Sequence, residues 1–291
     1  AQEWIKIGRE IFDAGVLSVL LTGGEVFLRP DFREIYEAYS EMGFLVTIFS
    51  NGYLIDEKAL EWLSKRPPMN LRITIYGVSN ETYEAVTGIK NAFDKVLHNI
   101  ENILAANINL SLAATIIGEN HAELQAMKKF ADDRDLKFIH TNNIVKPVRG
   151  ATMRQSFTEV SGPERTDNPE NWRTDKLVEW TPDPFAFCKV KGCGFWVTWD
   201  GRLLACSYME RPSVDPIEKG LSTSWRDLQN KLKKIRKTPE CSECKYKFFC
   251  ISCPGILSAE AGFPDRVSET VCQKARQYYE AYSKDFLCGS I

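Results

Sequence analysis

The chain has 291 residues, 44% hydrophobic and 26% charged, and 37 Lys+Arg against 39 Asp+Glu leave a formal charge of −2. That length allows one large domain or two smaller ones, and either can bury a core. The balanced charge implies no general basic face for nucleic acid. No apolar run is long enough to span a bilayer, and no charged-then-apolar leader opens the chain.

Residues 1–146 alternate helical periodicity with short apolar runs. An amphipathic helix over 1–14 (Trp4, Ile5, Gly8, Ile11, Phe12) precedes the run at 17–22. A helix over 31–41 leads to the run at 44–49, and a helix over 56–64 leads to the run at 71–76. One long helix, with Val96, Leu97, Ile100, Ile103 and Leu104 on one face, precedes the run at 110–117. A helix over 122–132 precedes the last run, at 136–139. Strands apolar throughout, alternating with helices, predict a parallel α/β sheet covered by helices. Periodicity leaves both a barrel and an open doubly wound sheet possible. Polar, glycine-rich turns follow the strands: Thr22-Gly-Gly-Glu25, Ser50-Asn51-Gly52, Tyr76-Gly77 and His140-Thr-Asn-Asn143. Any one glycine there only permits a tight turn. Four such turns at the carboxyl ends of successive strands mark a shared small-molecule site.

Residues 147–187 are polar and aperiodic, with Gly150, Gly162, Pro163 and Pro169, the composition of a linker or of a loop over the site. A cysteine-rich module follows. Phe195-Trp-Val-Thr-Trp199, Asp200-Gly201 and Arg202-Leu-Leu-Ala205 predict a β-hairpin closed by a two-residue Asp-Gly turn. Trp225, Leu228, Leu232 and Ile235 predict an amphipathic helix. Of the nine cysteines, eight stand at 188, 193, 206, 241, 244, 250, 253 and 272. Thiolates two residues apart can turn onto one metal centre, so the pairs Cys241/Cys244 and Cys250/Cys253 point to zinc or iron–sulfur binding. Their absence from the first 187 residues, with no leader in view, points to metal in the cytosol rather than to disulfides.

Two patterns narrow this further. Gly23-Gly24-Glu25 ends the first apolar run, with Ser50-Asn51-Gly52 and Ile73-Thr-Ile-Tyr-Gly77 after later ones. Cys188-x12-Gly201-x4-Cys206 is followed by Cys241-x2-Cys244-x5-Cys250-x2-Cys253-x18-Cys272. With these the chain resembles the radical SAM enzymes that carry a SPASM domain. It departs from them by a one-residue shift of Cys253, by Val26 where Pro is usual, and by Thr87 where many relatives have Arg. The resemblance implies a partial (β/α)6 barrel over 1–146, a bridging region over 147–187 and a small α+β SPASM domain over 188–291. It implies S-adenosylmethionine as cofactor, met by Gly23, Gly24 and Glu25 at its amino group and by Ser50, Asn51 and Thr74 at its carboxylate and ribose. It implies two auxiliary [4Fe–4S] clusters, the nearer on Cys188, Cys193, Cys206 and Cys253 and the farther on Cys241, Cys244, Cys250 and Cys272. The family's Cys-x3-Cys-x2-Cys occurs nowhere in the 291 residues. It is expected, with the barrel's first strand and a third [4Fe–4S] cluster, on a segment ahead of Ala1. An inactive relative is the other reading.

The chemistry so implied is reductive cleavage of S-adenosylmethionine to a 5′-deoxyadenosyl radical, which abstracts hydrogen from a ribosomally made peptide bearing a leader. The outcome is a thioether or carbon–carbon crosslink, and the electrons come from a donor such as flavodoxin or ferredoxin. Neither nucleic acid nor membrane is a partner. Ser207 follows Cys206 where sulfatase maturases carry an acidic residue, which favours crosslinking over formylglycine formation. Peptide epimerisation is a further alternative. Candidate substrate-facing groups are His140, Asn142, Asn143 and Tyr208. A reading of another class makes Cys241, Cys244, Cys250 and Cys253 a non-catalytic zinc ribbon.

Overall fold

The computed structural model describes residues 1–142, 144–149, 183–185, 188, 192–250 and 253–287, the side chains of 281–287 excepted. These fall into two compact units, parted between Ile144 and Val145. Asn143 and most of the aperiodic stretch lie outside the described residues.

The first unit opens with α1 (Gln2–Asp13), which turns Ile5, Ile7, Gly8 and Ile11 inward. Then come β1 (Ser18–Leu21), α2 (Phe32–Glu41), β2 (Leu45–Ser50), α3 (Glu57–Lys65), β3 (Asn70–Thr74), α4 (Asn80–Thr87), α5 (Ala92–Ala105), β4 (Leu110–Thr115), α6 (Leu124–Asp132) and β5 (Lys137–Thr141). The five strands are parallel and stand in the order β1-β2-β3-β4-β5. A doubly wound sheet reverses its strand order at a switch point. This sheet never does, so it winds one way, as an arc of barrel.

The register assigns the two faces. Ser50, Ile73, Leu112 and Phe138 align across four strands, as do Ile48, Leu71 and Leu110 across three. Ile48, Leu71, Ile73 and Leu112 are all 0% exposed, so this face lies under the helices. The opposite face carries Thr47, Phe49, Arg72 and Thr74, all half-buried. On it Arg72 lies 4.6 Å over the Phe49 ring and donates to Ser111 Oγ at 3.3 Å. A charge can sit there because that face is not sealed by apolar packing.

The long helix with Val96, Leu97, Ile100, Ile103 and Leu104 forms as α5, but the sequence reading misses α4, the separate short helix ahead of it. Ser79 caps α4 by accepting from the Thr82 N–H, and Gly88, at φ +76°, ends it in the left-handed conformation. Only Tyr83 and Val86 of α4 are buried, so its apolar signal is faint beside that of α5. The run at 110–117 also outlasts its strand. Ile116 and Ile117 are buried after β4 has ended, and the Ile116 N–H still donates to Thr141 O of β5 at 2.7 Å.

The second unit holds three short antiparallel strands, β6 (Trp196–Val197), β7 (Leu203–Leu204) and β8 (Ser213–Val214), in that order. α7 (Pro216–Lys219), α8 (Leu221–Leu232), α9 (Pro239–Glu243), α10 (Pro254–Ala261) and α11 (Glu269–Leu287) follow. Leu203, Leu204, Met209, Leu228 and Leu232 form its core. The predicted hairpin forms, but its turn is longer than the Asp-Gly pair. The Thr198 N–H donates to Arg202 O and the Gly201 N–H to Thr198 O, both at 2.9 Å. Trp199-Asp200-Gly201 is therefore a three-residue loop whose last position, Gly201, takes φ +80°. Among the described residues no helix is long and apolar enough to cross a membrane.

Candidate functional site: an acidic turn lattice and two sulfur groups

At the carboxyl ends of β1 and β2 one carboxylate organises the turns. Glu25 Oε1 accepts from Ser50 Oγ at 2.9 Å and from the Phe27 N–H at 3.1 Å, and Oε2 accepts from the Asn51 N–H at 2.7 Å. Ser50 Oγ in turn accepts from the Gly52 N–H at 3.0 Å, and buried Asn99 donates to Gly52 O at 2.8 Å. The three-residue motif and the Ser-Asn-Gly turn are thus one structure, with Ser50 and Asn51 on Glu25. Thr74 ends β3 on the half-buried face, two residues before Tyr76. Burial raises the Tyr76 pKa, and the Glu25 charge raises it further, which brings Tyr76 into this group.

The glycines separate into two kinds. A Cβ on Gly77 would lie 2.6 Å from both Glu123 Oε2 and Thr82 Cγ2, so packing alone accounts for that glycine. A Cβ on Gly23 or Gly24 would meet nothing within 4 Å, and neither residue has a positive φ. Neither a positive φ nor packing requires glycine at those two, and the space beside their backbone is open.

Glu123 holds the β3–α4 turn in place. It accepts from the Val78 N–H at 2.6 Å, Ser79 Oγ at 2.5 Å and Thr82 Oγ1 at 2.7 Å. Partial burial raises its pKa, but the bonds from Ser79, Val78 and Thr82 outweigh that and hold it below the ordinary 4.5. A depressed carboxylate stabilises the native state above its unfolded pKa and ceases to as pH falls through the native value. Urea midpoints of wild type and Glu123→Gln are therefore expected to differ most above pH 4.5 and to converge as acid is added below it.

The candidate substrate groups scatter. His140 aligns with Ala114 on the helix-covered face and stacks on Phe138 at 5.5 Å, so its ring lies on the opposite side of the sheet from Thr74. Asn142 is half-buried just beyond β5. Tyr208 belongs to the second unit, is 42% exposed, and donates its backbone N–H to Cys206 Sγ at 3.5 Å. Thr87 accepts the Ile89 N–H and donates to Tyr83 O, which makes it part of the end of α4.

In the second unit the thiols sort into two groups. Burial raises the Cys206 pKa, and the charges of Cys253 and Cys188 raise it further. Burial pushes the Cys250 thiol up to about 12, with Cys272, Cys241 and Cys244 adding to it. Cys272, again raised mainly by burial, feels Cys241 and Cys244. So Cys206 goes with Cys188 and Cys253, and Cys250 goes with Cys241, Cys244 and Cys272, although Cys250 and Cys253 lie in one CxxC. The first group has a cradle. A Cβ on Gly255 would lie 3.1 Å from Cys206 Sγ and 3.6 Å from Cys253 Sγ, space that glycine keeps open. Among the described residues no three Cys, His, Asp or Glu side chains close on a single ion. A four-iron cube holds its thiolates further apart than one ion does, and the all-sulfur donor sets are of the soft kind that such clusters take.

Sequence patterning gave no sign of Arg149. Its guanidinium, partly buried, donates to Ser207 O and, at 2.9 Å, to Met209 O. It thereby clamps the turn that carries Cys206 and Tyr208. Arginine in a stretch without period has no spacing to betray it.

Residues 1–131 match the radical SAM superfamily. The sporulation killing factor maturation protein SkfB of Bacillus subtilis (strain 168) is 22% identical, over 84% of this chain and 61% of its own length. The chain thus spans about three fifths of that relative. The AdoMet-dependent heme synthase of Methanosarcina barkeri is 23% identical over 87% of this chain and 81% of its own. The crystal structure of Streptococcus suis SuiB shares the fold, with a TM-score of 0.68 and 18% identity over 94% of this chain and 70% of that one. The superfamily carries S-adenosylmethionine and an iron–sulfur cluster as its cofactors. Residues 1–131 of this chain are a radical SAM domain.

Proposed function

We propose that this protein is a peptide-modifying radical SAM enzyme that forms a thioether or carbon–carbon crosslink within a ribosomally made peptide. The observation that carries this is one chain holding both the Glu25 turn lattice and two separate groups of cysteine sulfurs. Two relatives support a peptide substrate: SkfB is a maturation protein, and SuiB has been solved with its precursor peptide SuiA and with S-adenosylmethionine. In the cytosol, where thiols stay reduced, the sulfurs are free to take metal.

Bound S-adenosylmethionine, reduced at an iron–sulfur cluster, supplies the hydrogen-abstracting carbon radical. The chain's own residues position and enclose. Gly23 and Gly24 offer backbone carbonyls to the cofactor's ammonium, and Glu25 offers it negative charge while fixing the neighbouring turn through Asn51 N–H. Ser50, Asn51 and Thr74 line the carboxylate and ribose. Cys188, Cys193, Cys206 and Cys253 hold one auxiliary [4Fe–4S] cluster, and Cys241, Cys244, Cys250 and Cys272 hold the other. Tyr208, half-exposed beside Cys206, faces the substrate.

The test is to incubate the full-length protein with S-adenosylmethionine, a reductant and candidate ribosomal precursor peptides. A peptide lighter by two hydrogens is the expected product. An unchanged mass with deuterium taken from solvent identifies an epimerase. Turnover of a porphyrin and not of the peptide assigns the chain to the substrate class of its heme-synthase relative, and absence of 5′-deoxyadenosine removes the enzyme claim.

A further inference from the structure

Charge is unevenly spread along this chain. Residues 231–247 contain seven Lys and Arg against two Glu, although the whole protein carries −2. Lys231 is paired with Asp227 at 3.1 Å. Among the described residues Lys233, Lys234, Arg236 and Lys245 are exposed and form no ion pair. Arg236 spends its N–H groups on the carbonyls of Lys233 and Ile235, which fixes it on the turn that leaves α8.

These cations border one of the sulfur groups. α9 begins directly after the turn and carries Cys241, whose sulfur accepts from Thr238 Oγ1 at 3.1 Å. Lys247 reaches back to Ser242 O at 3.0 Å and so folds the Cys244–Cys250 loop against α9. Lys237 is near enough to Cys250 for its charge to act on that thiol. Beneath the loop Tyr246 and Phe249 pack on Tyr279 at 5.3 and 5.4 Å, while Phe248 points outward, 57% exposed. The result is a run of exposed cations with one exposed ring, leading into the segment that carries Cys241, Cys244 and Cys250.

We propose that this surface docks an acidic one-electron carrier protein, which passes electrons to the cluster held by Cys241, Cys244, Cys250 and Cys272. The proposal rests on the function given above and adds the place at which reducing power enters. One electron leaves the reduced carrier and one is gained by the oxidised cluster, with no bond made or broken. Exposed, unpaired lysines lose little hydration on weak docking, and their summed field speeds the approach of an acidic partner. Redox encounters are small and short-lived, which suits a patch this narrow, and exposed Phe248, with Lys247 over its ring at 5.4 Å, supplies an apolar contact beside the cations.

The experiment uses the full chain with reconstituted clusters, mixed anaerobically with reduced acidic flavodoxin, and follows bleaching of the cluster absorbance in a stopped-flow instrument. The second-order rate is expected to fall roughly tenfold or more as salt is raised, and by a similar factor in a Lys233→Glu, Lys234→Glu, Arg236→Glu variant. Bleaching by photoreduced deazaflavin, a small neutral donor, is expected to be equal in both proteins. Equal flavodoxin rates in wild type and variant overturn the proposal. So does loss of precursor-peptide binding with the flavodoxin rate intact, which assigns the basic surface to the peptide. A wild type in which deazaflavin bleaches nothing has no such cluster, and then the function and the docking fall together.

Discussion

Serine in place of Cys253 is expected to strip the same iron as serine in place of Cys206, and different iron from that lost in Cys250→Ser. Neighbours in sequence would suggest the reverse, since Cys250 and Cys253 share one CxxC. The chain separates them: Cys206 feels Cys253 and Cys188, while Cys250 feels Cys272, Cys241 and Cys244. Each serine variant should lose about four iron atoms, one cluster's worth. Electron paramagnetic resonance should show one cluster signal kept and one lost. The kept signal should be common to Cys206→Ser and Cys253→Ser. Protons are part of the same measurement. The buried Cys250 thiol, pushed up to about 12, is protonated at neutral pH, so metal uptake must release its proton and should weaken as acid is added. If Cys250→Ser and Cys253→Ser lose the same metal, and that metal is zinc, the two-cluster assignment is wrong and the zinc ribbon is right.

Glu25→Ala is expected to abolish measurable S-adenosylmethionine binding and also to loosen the protein. Three donors lose their acceptor: Ser50 Oγ, the Asn51 N–H and the Phe27 N–H. Partly buried donors left without partners cost about 1–3 kcal/mol in total once water reaches some of them. Glu25→Gln separates the two effects. Its carbonyl oxygen can still accept from one side of the lattice, so most of the stability should return, but without a charge it cannot draw an ammonium. Equilibrium dialysis with labelled S-adenosylmethionine should show at least a tenfold loss of affinity in both variants, and urea unfolding should show a large shift only for alanine. Full affinity in Glu25→Gln would make Glu25 a brace for the turns and nothing more.

Much of the first unit was legible because parallel strands are apolar on both faces and amphipathic helices repeat. The five strands and the helices α1, α2, α3, α5 and α6 all carry those signals. α4 does not, since it buries only Tyr83 and Val86, and its limits are set by a serine cap and a glycine that periodicity cannot weigh. β8 was invisible for a related reason: two residues, Ser213 and Val214, are too few to show alternation. Whether the sheet closed one way or wound two ways was likewise beyond period counting, because strand order is a long-range property. At the site, cysteine spacing was informative since ligand chemistry is written in residue type. The Glu25–Ser50 bond was not, for it joins loops 25 positions apart. Arg149 and Glu123 escaped for the same reason. They matter through what they grip, and neither stands in a recurring pattern.

The strands of the second unit are two residues long, and the sulfurs that group together come from positions as distant as Cys188 and Cys253. Ladders that short contribute little cohesion, so the clusters proposed for these sulfurs would act as the mortar of this unit. Nutrient supply then becomes a structural variable. Cells starved of iron should accumulate molecules whose carboxyl-terminal part is cut by proteases while the parallel sheet survives, and refeeding should restore full-length protein only by new synthesis.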